Sequence, residues 1–159
     1  MTISDWCQVV TAIVASISLG SNAVIRYKHS IYSVAKYVSV WADDNKLFIS
    51  NQSQTTLYNV FVFTDLNVYE CSWQEHLSRM CEFHNPYSYF ETFPIKKIIS
   101  YEFDPNPAAG GKHLIPAILF TDTNGHYWYR NPSGRLNKLH HSYMEELIKR
   151  SFVLGHVKA

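Results

Sequence analysis

The residues of this chain that could do chemistry are few and scattered. Cys81 and His84 stand at a C-x-x-H spacing, His140 and His141 are adjacent, and Lys112 and His113 follow Gly110-Gly111. A zinc site gathers two close ligand pairs. Only one pair here has that spacing, and adjacent histidines would point to different faces of a helix. No metal and no cofactor is therefore expected. Gly110-Gly111-Lys112 falls short of a phosphate loop, which needs G-x-x-x-x-G-K-[ST] between a strand and a helix and finds His113 where the hydroxyl belongs. A nucleophile calls for a Ser or Cys on a tight Gly-containing turn. The chain has no G-x-S-x-G, and Ser133-Gly134 lies in Asn131-Pro132-Ser133-Gly134, an ordinary turn composition. The expectation is a protein that is not an enzyme.

Asp122, Trp128 and Arg130 form the one polar and aromatic set that spacing brings together. On a strand returning from a turn, Trp128 and Arg130 share a face and Asp122 lies across from them. Two readings follow. One is structural, a cross-strand Asp–Arg contact beside a packed indole. The other is a binding surface, since Trp and Arg are enriched at interface hot spots. Lys112 and His113 would add point charges facing an anionic ligand. The five residues together are the candidate binding surface for a protein or small ligand.

The element that must position this set is Ala117 to Leu136, AILFTDTNGHYWYRNPSGRL. An apolar run, an Asn124-Gly125 turn, Tyr127-Trp128-Tyr129 and a second turn at Asn131 to Gly134 spell a β-hairpin. Asn and Gly tolerate the positive φ that such turns demand. Upstream, Tyr37 to Ser50 reads as a hairpin around Asp43-Asp44-Asn45, and Leu57 to Thr64 as a central strand covered on both faces. Trp73 to Glu82 reads as a short helix, Tyr87 to Thr92 and Ile95 to Phe103 as strands separated by Pro94, and Asp104 to His113 as a loop. Lys96-Lys97 marks a solvent-facing or edge point. The strand endings VFVFTD and AILFTD are alike but do not make a repeat. Leu136, Leu139, Tyr143, Leu147 and Ile148 recur at three- and four-residue spacing, which predicts an amphipathic C-terminal helix reaching Phe152 and packing on the sheet.

At the other end, Trp6 to Ile25 is about twenty residues without a formal charge, long enough to cross a bilayer as a helix. Ser4 or Asp5 would cap its start. No Lys or Arg precedes the apolar run, which argues against a cleaved signal peptide. Arg26, Tyr27 and Lys28 follow directly and suit anionic headgroups at a membrane interface. The positive-inside rule then places the N-terminus outside and everything from Arg26 onward in the cytoplasm, a single-pass arrangement in a bacterial inner membrane with reduced thiols at Cys7, Cys71 and Cys81. A Cys71–Cys81 bridge stays open as an alternative. Within the run, Ala12, Ser16 and Gly20 fall on one face, and Thr11, Ser18 and Asn22 lie on a neighbouring stripe with Ala15. Small residues at this spacing let helices approach closely, and burying Asn in hydrocarbon is costly unless it is paired. These six residues are the expected face of helix self-association into a homo-oligomer.

Composition narrows the function classes. Aromatic residues make up 15% and charged residues only 17%, which excludes a disordered tail and favours β-structure. A net charge of +1 without a basic stripe gives no nucleic-acid footprint. The expected organisation is a hydrophobic helix and basic segment over residues 1–36, a β-domain over 37–138 and the C-terminal helix over 139–159. The expected partners are the lipid bilayer, further copies of the chain, and a protein or small ligand of the β-domain.

The run FTDTNGHYWYRNPSGRL resembles a pattern, F-x-D-x-x-G-x-x-W-x-R-x-x-x-G-x-L, of small bacterial and prophage proteins with no assigned activity. In those proteins a hydrophobic helix and a short basic stretch precede segments like VSVWADD and LFISNQSQTTLYNVFVF, with Asn51 and Ser53 matching an asparagine-any-serine step. The resemblance covers Ser4 to Leu136, and residues 68–85 depart from it. It implies a mainly β fold, an immunoglobulin-like β-sandwich on a membrane helix, and brings no catalytic residues. It also implies a setting among bacterial accessory functions such as defence against phage. The resulting expectation is a membrane-tethered, non-enzymatic binding or sensor module. The alternative is a soluble assembly protein whose apolar helix packs into a neighbouring subunit.

Overall fold

The computed structural model describes residues 3–43, 46–66, 72–102 and 114–154. The chain divides into two units, Met1–Ser33 and Val34–Ala159. The first consists of helix α1, Ile3–Ala35, whose last two residues belong to the second unit. The helix has already begun at Ile3, so Ser4 and Asp5 lie inside its first turn and not at the cap position. From Val10 to Ala35 it is long and apolar enough to cross a membrane; the described side chains from Val10 to Ser30 are exposed, and Ala35 at its end is buried.

The second unit, the body, is mainly β. Its elements are β1 (Val38–Asp43), β2 (Lys46–Asn51), β3 (Leu57–Leu66), α2 (Trp73–Glu82), β4 (Tyr87–Phe93), β5 (Lys97–Glu102), β6 (Leu114–Thr121), β7 (Tyr127–Arg130), β8 (Leu136–Leu139) and α3 (Met144–Lys149). Two antiparallel sheets result, one in the order β1-β2-β5 and the other β4-β3-β6-β7-β8. The opening hairpin pairs Val40 with Ile49, and the late hairpin pairs Phe120 with Trp128. Pro94 separates β4 from β5 where the chain leaves one sheet for the other, a step that needs no ladder hydrogen bond from its nitrogen. Lys96, with φ of 49°, and Lys97 are both exposed at the start of β5, the edge strand.

Strand β3 has two dry faces, as its nearly continuous apolar sequence demands. On one face Phe61 and Phe63 join Ala117, Leu119 and Tyr129, and the cluster is completed by Leu77 and Met80 of α2, by Leu147 of α3 and by Tyr143 at its N-cap. On the other, Val60, Val62, Ile118, Phe120 and Trp128 are equally buried, and β1 lies against β6. The register of β3 slips between Tyr58 and Phe61, where Asn59 takes φ of 51°. That irregular residue is held from two sides. The Tyr89 hydroxyl donates to its side-chain oxygen at 2.7 Å, and the Tyr143 hydroxyl to its carbonyl at 2.6 Å. Burial pushes the Tyr143 hydroxyl well above the ordinary tyrosine range, so it remains a donor.

The C-terminal segment corrects the helical expectation. Leu136 and Leu139 belong to strand β8, paired across from Arg130 and Tyr127, and the helix is only the six residues Met144–Lys149. The cause is the turn before it. Gly134, at φ of 82°, reverses the chain so that Leu136 meets Arg130, and β7 supplies a full row of ladder partners that a helix over the same residues would forgo. Ile148, placed on the apolar face by spacing, is 63% exposed.

Candidate functional site

Asp122, Trp128 and Arg130 do come from one hairpin, but not as a surface. Asp122 and Trp128 are 1% and 0% exposed. The indole Nε1–H donates to Asp122 Oδ2 at 2.9 Å, while the backbone N–H groups of Asn124 and His126 donate to Oδ1 at 2.9 and 3.0 Å. His126 Nδ1 stands 3.2 Å from Oδ2. One carboxylate thus closes the Asn124-Gly125 turn and anchors the indole, the short-range side-chain capping at which Asp excels. The Asp122–Arg130 contact gives way to another arrangement. Arg130 Nη1 donates to the Gly134 carbonyl at 2.8 Å, and Nη2 to the carbonyls of Ala35 and Lys36 at 3.2 and 3.3 Å. Burial lowers its pKa somewhat. As a binding surface, then, Asp122 and Trp128 are corrected: both are inside. Lys112 and His113 lie outside the described residues.

On α1, Ala12, Ser16, Gly20, Thr11, Ser18 and Asn22 are all exposed. The Ser16 hydroxyl donates to the Ala12 carbonyl at 2.8 Å, and nothing lies within 4 Å of where a Cβ on Gly20 would sit. Arg26 and Tyr27 are exposed as well, and the helix runs on through Lys28 to Ala35. Cys81 carries a free, half-buried thiol, His84 is exposed past the end of α2 at φ of 53°, and Cys71 lies outside the described residues. Among the described residues no group of three His, Cys, Asp or Glu side chains converges on a point that could hold a metal.

Two features escaped the sequence reading. The first is a buried ionic cluster. Asp65, fully buried near the end of β3, takes His76 Nδ1 on Oδ2, and Arg79 donates to the same oxygen through Nε at 3.1 Å and Nη2 at 2.8 Å. Arg79 Nη2 is also 3.0 Å from His76 Nδ1, and His76 Nε2 is buried without a partner among the described residues. His76 and Arg79 are three apart on one helix, so they present to Asp65 together. That i, i+3 spacing was the available signal, together with the Asp that closes an apolar strand.

The second is a cleft of about 330 Å³ between the start of α2 and the last two strands. It is lined by Ser72 and Trp73 from the start of α2 and by Tyr129, Asn131, Arg135, Asn137 and Leu139 from β7, β8 and the turn between them. Its walls are set by local chemistry. Ser72 caps α2 in a reciprocal box with Glu75, the Ser72 N–H donating to the Glu75 carboxylate at 2.7 Å and the Glu75 N–H to the Ser72 hydroxyl at 3.3 Å. The Ser72 backbone and side-chain bonds hold the Glu75 carboxyl below the usual range. The S-x-x-E run could have revealed this cap. Across the cleft, Asn131 Oδ1 accepts from the Arg135 N–H at 2.8 Å and the Ser133 hydroxyl at 2.9 Å, which ties down the turn and orients the amide.

No family model, no curated protein and no solved structure matches this chain.

Proposed function

We propose that this chain is a membrane-tethered, non-enzymatic binding module. The observation that carries the reading is α1: Ile17, Leu19 and Ile25 are 64%, 72% and 63% exposed, and every described side chain from Val10 to Ser30 is exposed. Large apolar side chains left in water along a whole helix mark a surface meant for an apolar environment. At 1.5 Å per residue its 33 residues extend about 50 Å, against about 30 Å for a hydrocarbon core. The uncharged run through Ile25 crosses the core, and Arg26, Tyr27 and Lys28 emerge at the cytoplasmic headgroups. Ser16 suits this placement because its hydroxyl is satisfied inside the helix. The body is an immunoglobulin-like sandwich in the cytoplasm. In its support, both faces of β3 are dry, β1 lies against β6, and Asn51 Nδ2 donates to the Pro94 carbonyl at 3.0 Å, tying the end of β2 to the end of β4. The helices self-associate through the Ala12, Ser16 and Gly20 face.

Membrane fractionation tests this. The full chain is expected to stay in the pellet through alkaline carbonate and to crosslink as an oligomer that Gly20→Leu weakens. Release by carbonate or by high salt would overturn the tether and favour an assembly protein whose helix packs into a neighbouring subunit.

A further inference from the structure

We infer that the end of the body at which the chain arrives from α1 is a second membrane contact, a basic and partly apolar surface that settles on anionic lipid headgroups. The inference rests on the reading of α1 as a tether and adds to it a surface outside the helix. With its headgroups a bilayer is about 40–45 Å thick. A helix of about 50 Å therefore delivers the start of the body close to the headgroup boundary.

The register of the first sheet sorts its charges. At one end Val38 pairs with Asn51 and Asn51 with Lys97; at the other Asp43 pairs with Lys46 and Lys46 with Glu102. The two carboxylates of these strands, Asp43 and Glu102, thus stand far from the entry of the chain. The near end gathers lysines. Lys36 precedes β1, and Lys96 and Lys97 lead into β5; all three are exposed, and no ion pair among the described residues involves them. Glu91, exposed on β4 before the chain reaches Ile95, offsets one of the three charges and leaves the end basic. Exposed apolar side chains lie among these lysines: Tyr37, whose ring carries Lys36 Nζ at 4.9 Å, together with Ile95 and Ile98. Neighbouring strands are about 4.8 Å apart, so β1 and β5, flanking β2, hold their lysines about 10 Å from one another in a single patch. The patch is also fixed in place. Arg130 Nη2 ties the Ala35 and Lys36 carbonyls to β7, and Asn51 Nδ2 ties the Pro94 carbonyl ahead of β5 to the end of β2. Lysine is a flexible point charge, suited to a diffuse layer of headgroups more than to one bidentate ligand. Tyrosine settles at headgroup level, and each lysine near an anionic leaflet favours contact by about fivefold. An acidic protein is the other occupant such a patch could take, and the membrane is favoured because the tether already brings it to this end.

The test is lysine acetylation of the full chain in nanodiscs of phosphatidylcholine, alone or mixed with phosphatidylserine, read residue by residue by mass spectrometry. Lys96 and Lys97 are expected to react about fivefold more slowly on the anionic discs than on the neutral ones at low salt. The difference should vanish in about 1 M salt, where the screening length is about 3 Å. Lys46, at the other end of the same sheet, and Lys149, exposed on α3, should react alike on both discs. Lys36→Glu combined with Lys97→Glu, both at exposed positions, should return Lys96 to its neutral-disc rate while circular dichroism stays unchanged. Lys96 and Lys97 reacting like Lys46 on both discs would overturn the inference and turn this end toward an acidic protein. Equal protection on neutral and anionic discs, or protection of Lys96 unchanged in the double variant, would overturn recognition of headgroup charge. Carbonate extraction reads the tether separately: a chain that stays in the pellet while Lys96 and Lys97 react like Lys46 faults this inference alone.

Discussion

Phe-Thr-Asp stands at the C-terminal end of both β3 and β6, with Asp65 one residue before the end of its strand and Asp122 just after, and both aspartates are buried, yet the two are solved in opposite ways. Asp122 is neutralised by dipoles from its own neighbourhood, two backbone N–H groups and an indole N–H within six residues, with His126 alongside. Asp65 is met by side chains from a separate element, the His76 imidazole and the Arg79 guanidinium, 11 and 14 residues away. A buried carboxylate needs donors more than it needs a countercharge. The local solution shapes a turn; the distant one fastens a helix to a sheet, and with it the Ser72 and Trp73 wall of the cleft.

Several substitutions would break or sharpen that contrast. Asp65→Ala should be the most damaging, about 3 kcal/mol in denaturant unfolding, because it leaves a buried imidazole and a guanidinium without their anion; Arg79, 29% exposed, keeps the loss near the low end of the range for broken buried pairs. Trp128→Phe deletes only the indole N–H and some volume, and should cost about 2 kcal/mol in the same measurement. Equal losses in the two variants would erase the distinction between charge and dipole. Gly125→Ala should cost about 1 kcal/mol, all of it backbone, since φ is 75° and no atom lies within 4 Å of the added Cβ. The smallest effect belongs to acid. The Glu75 carboxyl is held below its ordinary value, so its contribution is complete above the unfolded-state pKa and fades as pH falls through the lowered folded one. Amide exchange in the first turn of α2 should quicken over that window, and Glu75→Ala should remove the pH dependence.

Legibility followed the range of the interactions. The late hairpin could be read because Asn124-Gly125 and the alternation around it dictate a turn from within, and α1 because twenty uncharged residues need no partner to declare themselves. The strands at Tyr87 and Ile95 were also visible, but their separation into different sheets was not, since strand pairing is decided by distant neighbours. The C-terminal helix was overcalled because Leu136 and Leu139 fit a 3.6-residue period and a strand of four equally well, and β7 decided between them. For the same reason Trp128 looked like a surface anchor. Nothing in its spacing says that a second layer of chain covers it. The cleft was invisible because Trp73 and Asn137 meet only when α2 and β8 are both in place.

The Asp122 carboxylate accepts from Asn124, His126 and Trp128, all within the seven residues from Asp122 to Trp128. A segment of that kind can organise while much of the chain is still a coil, since closing so short a loop costs little entropy. On a ribosome it would be an early landmark, and weakening it should slow the approach to the native state. Loosening Asp65 from α2, by contrast, should mainly hasten the return journey.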